Sequence, residues 1–200
     1  ADVFAETSGI LRTCAVSLLK VATDLRLLSS GPDAGLAEIR LQPLQAGSSI
    51  MPAKVNPVIP EAVSQAAIRV MGNDQVIATA AAMGNLELNP FMPLIAEAML
   101  ESIELLRSAC DAFAARCVEG IAGDTDRCRS LAENTMAVAL ALVPALGYDR
   151  VTELVKLARD RKMSLKSLII GEGILDENTW ERLTSAEAVC RLGFPDDTPA

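Results

Sequence analysis

The sequence predicts an all-α protein in which a long-helix bundle is followed by a small helical C-terminal domain. Three segments repeat apolar residues at alternating three- and four-residue steps, and the chain then changes to short segments separated by turn signals. We place the boundary so that residues 1–119 form the bundle segment and residues 120–200 the C-terminal domain. With 200 residues, half of them apolar, the chain can bury one good core or two small ones.

The first predicted helix occupies the opening residues and carries a bundle seam with Thr7 in its one polar slot. We expect this seam to pack against neighbouring helices along its length. The seam consists of Phe4, Leu11, Cys14, Leu18, Val21, Leu25 and Leu28.

The second predicted helix begins near Pro57, since proline suits a first helical turn, and ends near Gly84. Alanines on several of its faces indicate that it is covered on all sides. We therefore expect partner chains to complete the bundle; the alternative is a monomer whose missing cover lies elsewhere in the same chain. The apolar stripe of this helix comprises Ile59, Val63, Ala66, Val70, Ile77 and Ala81.

The third predicted helix runs from about Pro93 to Val118. Two of its cysteines, Cys110 and Cys117, lie on the apolar stripe, and we predict that both are core residues because buried thiols behave as small hydrophobes. The full stripe is Ile95, Met99, Leu106, Cys110, Phe113 and Cys117.

The C-terminal domain begins where the segment 120–128 breaks the long pattern, and a later helix stops at Gly147. We predict helix N-caps in this domain at Asp149, Ser164 and Asp176. The two aromatics with polar tips are predicted to be packing anchors, and the final PDDTPA a frayed tail. These aromatics are Tyr148 and Trp180.

Composition excludes several classes of function. A net charge of −8 argues against a nucleic-acid partner, and the longest apolar run, 136–143, is too short to cross a membrane. No basic-then-apolar leader opens the chain, so we expect no export. Five scattered cysteines indicate free thiols in a reducing, cytoplasmic compartment, and the absence of histidine makes a metal site improbable. No cofactor is expected.

The segment AGSSIMPAKVNP, residues 46–57, contrasts with the oily helices around it. Between Leu41 and Ile68 the only charged residues are Lys54 and Glu61. Lys54 stands beside the start of a helix whose N-terminal dipole also favours anions, so the place suits a carboxylate. The residues alone equally allow a polar interhelix loop with serine caps and a snorkelling lysine.

This segment resembles the signature of the aspartase/fumarase superfamily. The segments DLRLLSSGP, GNDQVIATAAAMGNLELNPFMP, GYDR and LIIGEGILDE are similar to the family as well, so that the resemblance covers essentially all 200 residues. It implies a homotetramer built on a central all-helical bundle. It also implies a small dicarboxylate substrate of the succinyl type, from which ammonia or water is eliminated to release fumarate or a related product.

The resemblance assigns roles residue by residue. Ser48 matches the base that removes the β-proton, and Ser49 matches a substrate-binding position beside it. Lys54 and Asn56 match residues that bind a substrate carboxylate. Glu61 matches an acidic residue that supports a histidine from another segment.

Physical chemistry is consistent with these roles. Removing a proton next to a carboxylate adds a second negative charge, which Lys54 stabilises more in the transition state than in the ground state. A serine hydroxyl is a poor base in water, so Ser48 requires oriented donors and exclusion of solvent when the loop closes. Gly47 is a supporting residue that supplies the hinge.

The stretch VNPVIPE resembles aspartate ammonia-lyases, whereas fumarases usually have a more polar pair before Glu61. We therefore expect elimination of ammonia from L-aspartate. A class II fumarate hydratase and a non-catalytic helical oligomerisation module are the alternatives. Two departures are Ala53 in place of a glycine common in this loop, and Asp33 where the family often has arginine.

The chain opens without methionine, inside a helical pattern, and lacks the family's earlier substrate-binding segments and histidine. We expect it to be the C-terminal part, less than half, of a longer enzyme. Such a fragment alone is expected to be inactive.

Overall fold

A computed structural model describes residues 1–45, 47, 51, 54–135 and 138–190. These residues are mostly helical, which confirms the predicted all-α class. The chain divides into two compact units, one ending at Asp124 and the other beginning at Thr125.

The first unit contains three long helices, α1 (Asp2–Leu28), α2 (Val58–Ala82) and α3 (Met92–Arg116). Ala22 near the end of α1 shares a cluster with Val63 near the start of α2, so these helices run antiparallel. Ile77 of α2 likewise meets Ile95 of α3. The three helices therefore form an up-down-up arrangement of the kind found in helix bundles.

The α1 seam is partly as predicted. Leu11, Leu18 and Leu25 pack against the core, but its fully covered positions are the small residues Ala15 and Ala22. Small side chains allow the closest approach of helix backbones, which places them at the centre of the contact. The apolar surface of α1 is broader than this contact, and in consequence the predicted seam residues Phe4, Cys14 and Val21 are exposed.

The stripes of α2 and α3 are confirmed at most positions. The buried members are Val63, Val70, Ile77, Ile95, Met99, Leu106, Phe113 and Cys117. Cys110 is exposed, and its predicted core position is wrong. It follows the buried Ala109, and one residue rotates a helix by about 100°, which carries Cys110 from the buried face towards the exposed surface.

Polar side chains bridge the contact between α2 and α3. Buried Asn73 on α2 donates to the hydroxyl of Ser102 at 3.1 Å and to the Glu101 carboxylate at 2.8 Å. Arg69 donates to both oxygens of the same carboxylate, at 3.2 and 3.0 Å. The hydrogen bonds from Arg69, followed by that from Asn73, lower the pKa of Glu101. These contacts fix the register of α2 against α3.

A short antiparallel ribbon joins the segment after α1 to the segment after α3. Strand β1 (Ile39–Arg40) pairs with β2 (Ala122–Gly123), and β2 follows a single 3-10 turn, Val118–Gly120. The Asp124 N–H donates to the Glu38 carbonyl at 2.8 Å, and Arg40 forms an ion pair with the Asp124 carboxylate. The chain is therefore anchored to the bundle shortly before the segment 46–57.

The second unit is built from short helices around its own core. Trp180 is buried among apolar side chains including Leu142, Leu154 and Ile169, which confirms its predicted role as a packing anchor. Tyr148 is 70% exposed, so the same prediction for it is wrong. The helices are α4 (Thr125–Asn134), α5 (Val138–Leu146), α6 (Tyr148–Asp160), α7 (Leu165–Gly171), α8 (Glu177–Thr184) and α9 (Ala186–Cys190).

Two of the three predicted caps are confirmed. The Ser164 hydroxyl accepts from the Ser167 N–H at 3.1 Å, and the Asp176 carboxylate accepts from the Thr179 N–H at 2.7 Å. Asp149 is not a cap, because Gly147 takes that position with a φ of +78° and Asp149 falls within the first turn of α6. The predicted tail, 195–200, lies outside the described residues.

No helix in the described part of the chain combines the length and apolar character that crossing a membrane requires.

Candidate active site

The segment 46–57 lies between β1 and α2, and both of its ends are held by the bundle. On the entry side, Leu41 packs against the cluster that includes Ala22 and Phe113. On the exit side, Pro57 is the N-cap of α2, and its carbonyl accepts from the Glu61 N–H at 3.1 Å. Proline fixes φ at this position, so the backbone enters α2 in one direction.

Gly47 and Lys54 bring the two arms of the segment together. A Cβ placed on Gly47 would lie 1.5 Å from the Lys54 carbonyl oxygen and 2.3 Å from its carbonyl carbon. Only a residue without a side chain fits so close to another backbone. The two arms therefore touch at Gly47, which sequence reasoning assigned to a hinge.

Asn56 joins the same contact. Its side-chain amide donates to the Gly47 carbonyl at 3.1 Å, and it is half-buried. Sequence reasoning assigned Asn56 to a substrate carboxylate and missed this internal partner. The spacing of nine residues between Gly47 and Asn56 gave no signal of it, since two residues that far apart meet only when the loop between them closes.

Lys54 and Glu61 are the charged residues of this region. The Lys54 side chain is exposed and Glu61 is half-buried in the first turn of α2. Within the described ranges, neither side chain forms a hydrogen bond or an ion pair with another residue; the ion pairs found there join other side chains. The Lys54 ammonium is thus available to an anion, beside a helix N-terminus that also favours negative charge.

The structure accordingly brings together Gly47, Lys54 and Asn56, with Glu61 one helical turn further on. Ser48 and Ser49, the predicted base and its neighbour, lie outside the described residues. Their assignments stay predictions.

None of the five cysteines is in a disulfide, and desolvation raises the pKa of the Cys117 thiol, which disfavours a reactive thiolate there. Across the described ranges, no group of three or more Cys, Asp or Glu residues is arranged to hold a metal ion.

Comparisons with known proteins point in one direction. A family model described as Lyase matches residues 1–72. The chain is 47% identical over 172 residues to the aspartate ammonia-lyase of Pseudomonas aeruginosa, covering 86% of this chain and 36% of that enzyme. It is 44% identical over 176 residues to the class II fumarate hydratase of Mycobacterium tuberculosis, covering 88% of this chain and 37% of that enzyme.

Solved structures agree. The crystal structure of a fumarate lyase:delta crystallin from Brucella melitensis, bound to cobalt, superposes with a TM-score of 0.86 at 47% identity. That match covers 96% of this chain and 41% of the crystallised one. The chain therefore spans well under half the length of these relatives.

Proposed function

Since this chain belongs to the aspartase/fumarase superfamily, we propose that it carries part of the active site of a lyase that eliminates ammonia from L-aspartate to give fumarate. The observation that carries the proposal is the exposed Lys54 beside the start of α2, without an ionic partner in the described residues and within the family's signature segment. An unpaired cation in an otherwise uncharged stretch is suited to a dicarboxylate substrate.

The chemistry assigns one task to each residue. Ser48 acts in its alkoxide form: its oxygen accepts the proton from the carbon next to the β-carboxylate and becomes a hydroxyl, which returns that proton to solvent after the turnover. The electron pair of the broken carbon–hydrogen bond is delocalised into the β-carboxylate. Lys54 and Asn56 stabilise the resulting double negative charge. The electron pair then forms the carbon–carbon double bond as the carbon–nitrogen bond breaks, and ammonia and fumarate leave. Ser49 binds substrate beside the base.

Ammonia is favoured as the leaving group by the VNPVIPE stretch. A class II fumarate hydratase, which would release water from malate, is the second candidate, and the 44% identity to the Mycobacterium tuberculosis enzyme supports it. The leaving-group contacts decide between the two, because a site built to bind an amine rejects a hydroxyl by leaving polar groups unpaired.

We further propose that the site is shared with other segments or subunits of an oligomer, a tetramer in the complete enzyme. A succinyl-type substrate presents two carboxylates and a leaving group, and this chain offers Lys54, Asn56 and the serine pair to hold them. The chain also spans only 36% of the Pseudomonas aeruginosa aspartate ammonia-lyase. Glu61 would support a histidine contributed from elsewhere, and the chain alone would be inactive.

The test follows fumarate by ultraviolet absorbance with L-aspartate, and separately with L-malate. Each assay is run on the chain alone and after mixing with the N-terminal part of the enzyme. We expect turnover of aspartate only in the mixture. If the mixture converts L-malate but not L-aspartate, the enzyme is the hydratase. If it converts neither substrate, the non-catalytic module is favoured.

Three variants assign the residues. Ser48→Ala should abolish turnover with substrate affinity largely kept, and Lys54→Ala should impair both. Lys156→Ala, an exposed lysine on α6, is the charge-matched control and should behave as the parent. Near-normal turnover in Ser48→Ala would remove it from the role of base.

A further inference from the structure

The segment 46–57 has a neck, by which we mean Gly47, Lys54 and Asn56. The Gly47 and Lys54 backbones are in contact there, and the Asn56 amide bridges to the Gly47 carbonyl at 3.1 Å. Beyond the neck, the chain is anchored by the β1–β2 ribbon on one side and by α2 on the other. The position of Lys54 therefore depends on the contact between Gly47 and Asn56, which are nine residues apart in the sequence.

We propose that Asn56 is a positioning residue for Lys54: its hydrogen bond to Gly47 closes the neck and thereby fixes the backbone that carries the lysine. This proposal rests on the proposed function only for the identity of the anion that Lys54 meets. The closure of the neck itself is a property of the free chain.

Three features support this role. The lysine side chain is long and exposed, and in the described residues it has no partner to hold it, so only its backbone can restrict where the ammonium reaches. That backbone is held where the Lys54 carbonyl meets Gly47. Asn56 still keeps a second N–H and its carbonyl oxygen for other partners, because an amide group offers two donors and one acceptor.

The first test uses trypsin on the chain as it stands, since trypsin cleaves after Lys54 and requires an opened, extended backbone. Cleavage of the Lys54–Val55 bond is followed by mass spectrometry, with cleavage after Lys162 in the second unit as the internal reference. We expect Asn56→Ala to accelerate cleavage after Lys54 about five-fold, the population change that loss of one ordinary hydrogen bond produces.

Gly47→Ala should accelerate the same cleavage at least as much, because its methyl group would lie 1.5 Å from the Lys54 carbonyl oxygen. Gly9→Ala on α1 is the matched control, since an added Cβ there meets no atom within 4 Å. Circular dichroism confirms that each variant keeps its helices. An unchanged rate of cleavage after Lys54 in Asn56→Ala and Gly47→Ala would overturn the proposal, whatever the activity of the enzyme.

The second test is a double-mutant cycle on kcat/KM in the reconstituted lyase. If part of the effect of Asn56 runs through Lys54, Asn56→Ala lowers kcat/KM by a clearly smaller factor in the Lys54→Ala background than in the parent. Fully additive effects would overturn the proposal, because they would mean that Asn56 contributes only through its own contact with substrate. Absence of any lyase activity would refute the proposed function and leave the trypsin result to decide on the neck.

Discussion

The buried hydroxyl of Ser8 on α1 donates a 2.7 Å hydrogen bond to one carboxylate oxygen of Asp74 on α2. The other oxygen forms an ion pair with Arg12 at 3.2 Å. The Asp74 carboxylate on α2 thus binds two polar side chains of α1, and one of them, Ser8, is buried between the two helices. The arrangement fixes the axial position of α1 against α2, because a slip of one turn would separate all three groups.

Replacing Asp74 by alanine should lower the free energy of unfolding by about 1–3 kcal/mol, since the buried Ser8 hydroxyl loses its acceptor. Asp111→Ala is the matched control, because Asp111 is exposed and its ion pair with Arg107 on the same helix is worth little. Urea denaturation followed by circular dichroism compares the two. An equal loss of unfolding free energy in the two variants would mean that the Ser8–Asp74 contact does not stabilise the bundle more than an exposed ion pair does.

The second unit can be tested with a pair of leucines on α5. Leu142 is 0% exposed in the core around Trp180, whereas Leu140 is 72% exposed. We expect Leu142→Ala to cost about 2–5 kcal/mol through lost burial and a residual cavity, and Leu140→Ala to cost little. Trp180 is the single tryptophan of the chain, so its fluorescence during denaturation reports on this unit. Similar costs for both variants would contradict the described core.

Acid should weaken α8 through its cap. The backbone N–H of Thr179 is the main cause that lowers the pKa of Asp176. A depressed folded-state pKa gives stability that is present above the unfolded value of about 3.9 and lost as the pH falls through the folded value. Unfolding of this unit should therefore become easier below about pH 4. Asp176→Asn, which caps without titrating, should flatten this dependence; an unaltered acid profile would exclude the cap as its source.

Self-association is expected from apolar side chains left uncovered on the bundle. Ile68 on α2 and Leu100 on α3 are 59% and 67% exposed. Placing lysine at both positions should shift the chain towards the monomer in sedimentation, because burying a charge at an apolar contact is costly. Asn178→Lys adds one positive charge at an exposed site of the second unit, as much as Ile68→Lys or Leu100→Lys adds singly, and should leave self-association unchanged. A parent chain that sediments as a monomer at micromolar concentration would contradict the expectation.

Local rules were sufficient for much of the fold. Helix periodicity located α1, α2 and α3, Pro57 marked the start of α2, and Ser164 and Asp176 were identified as caps, because each of these signals acts within one or two turns of backbone. The same locality explains two errors. Asp149 has the residue type of a cap, but Gly147, two residues before it, takes the N-cap position of α6. Tyr148 has the residue type of a packing anchor, but the packing of the unit leaves it exposed.

The candidate site divides in the same way. Lys54 and Glu61 stand out in the sequence as the isolated charges of the segment, whereas Asn56 is indicated by the family signature. Ser48 stays a prediction of that signature. The Asn56 contact with Gly47 was not foreseen, because closing a loop brings together residues whose separation carries no pattern.

By itself, then, the sequence determined the approximate extent of the three long helices, the caps of α7 and α8, and which residues are chemically suited to an anion, since these depend on neighbours along the chain. Tertiary structure alone decided that Ala15 and Ala22 are covered while Cys14 and Cys110 are not, that Asp74 serves Ser8, and that Gly47 meets Lys54. A helix offers an apolar surface broader than one contact, and a loop can close in many ways. The packing of the whole unit selects among these possibilities, because only one choice fills the space between the helices and satisfies the buried polar groups together.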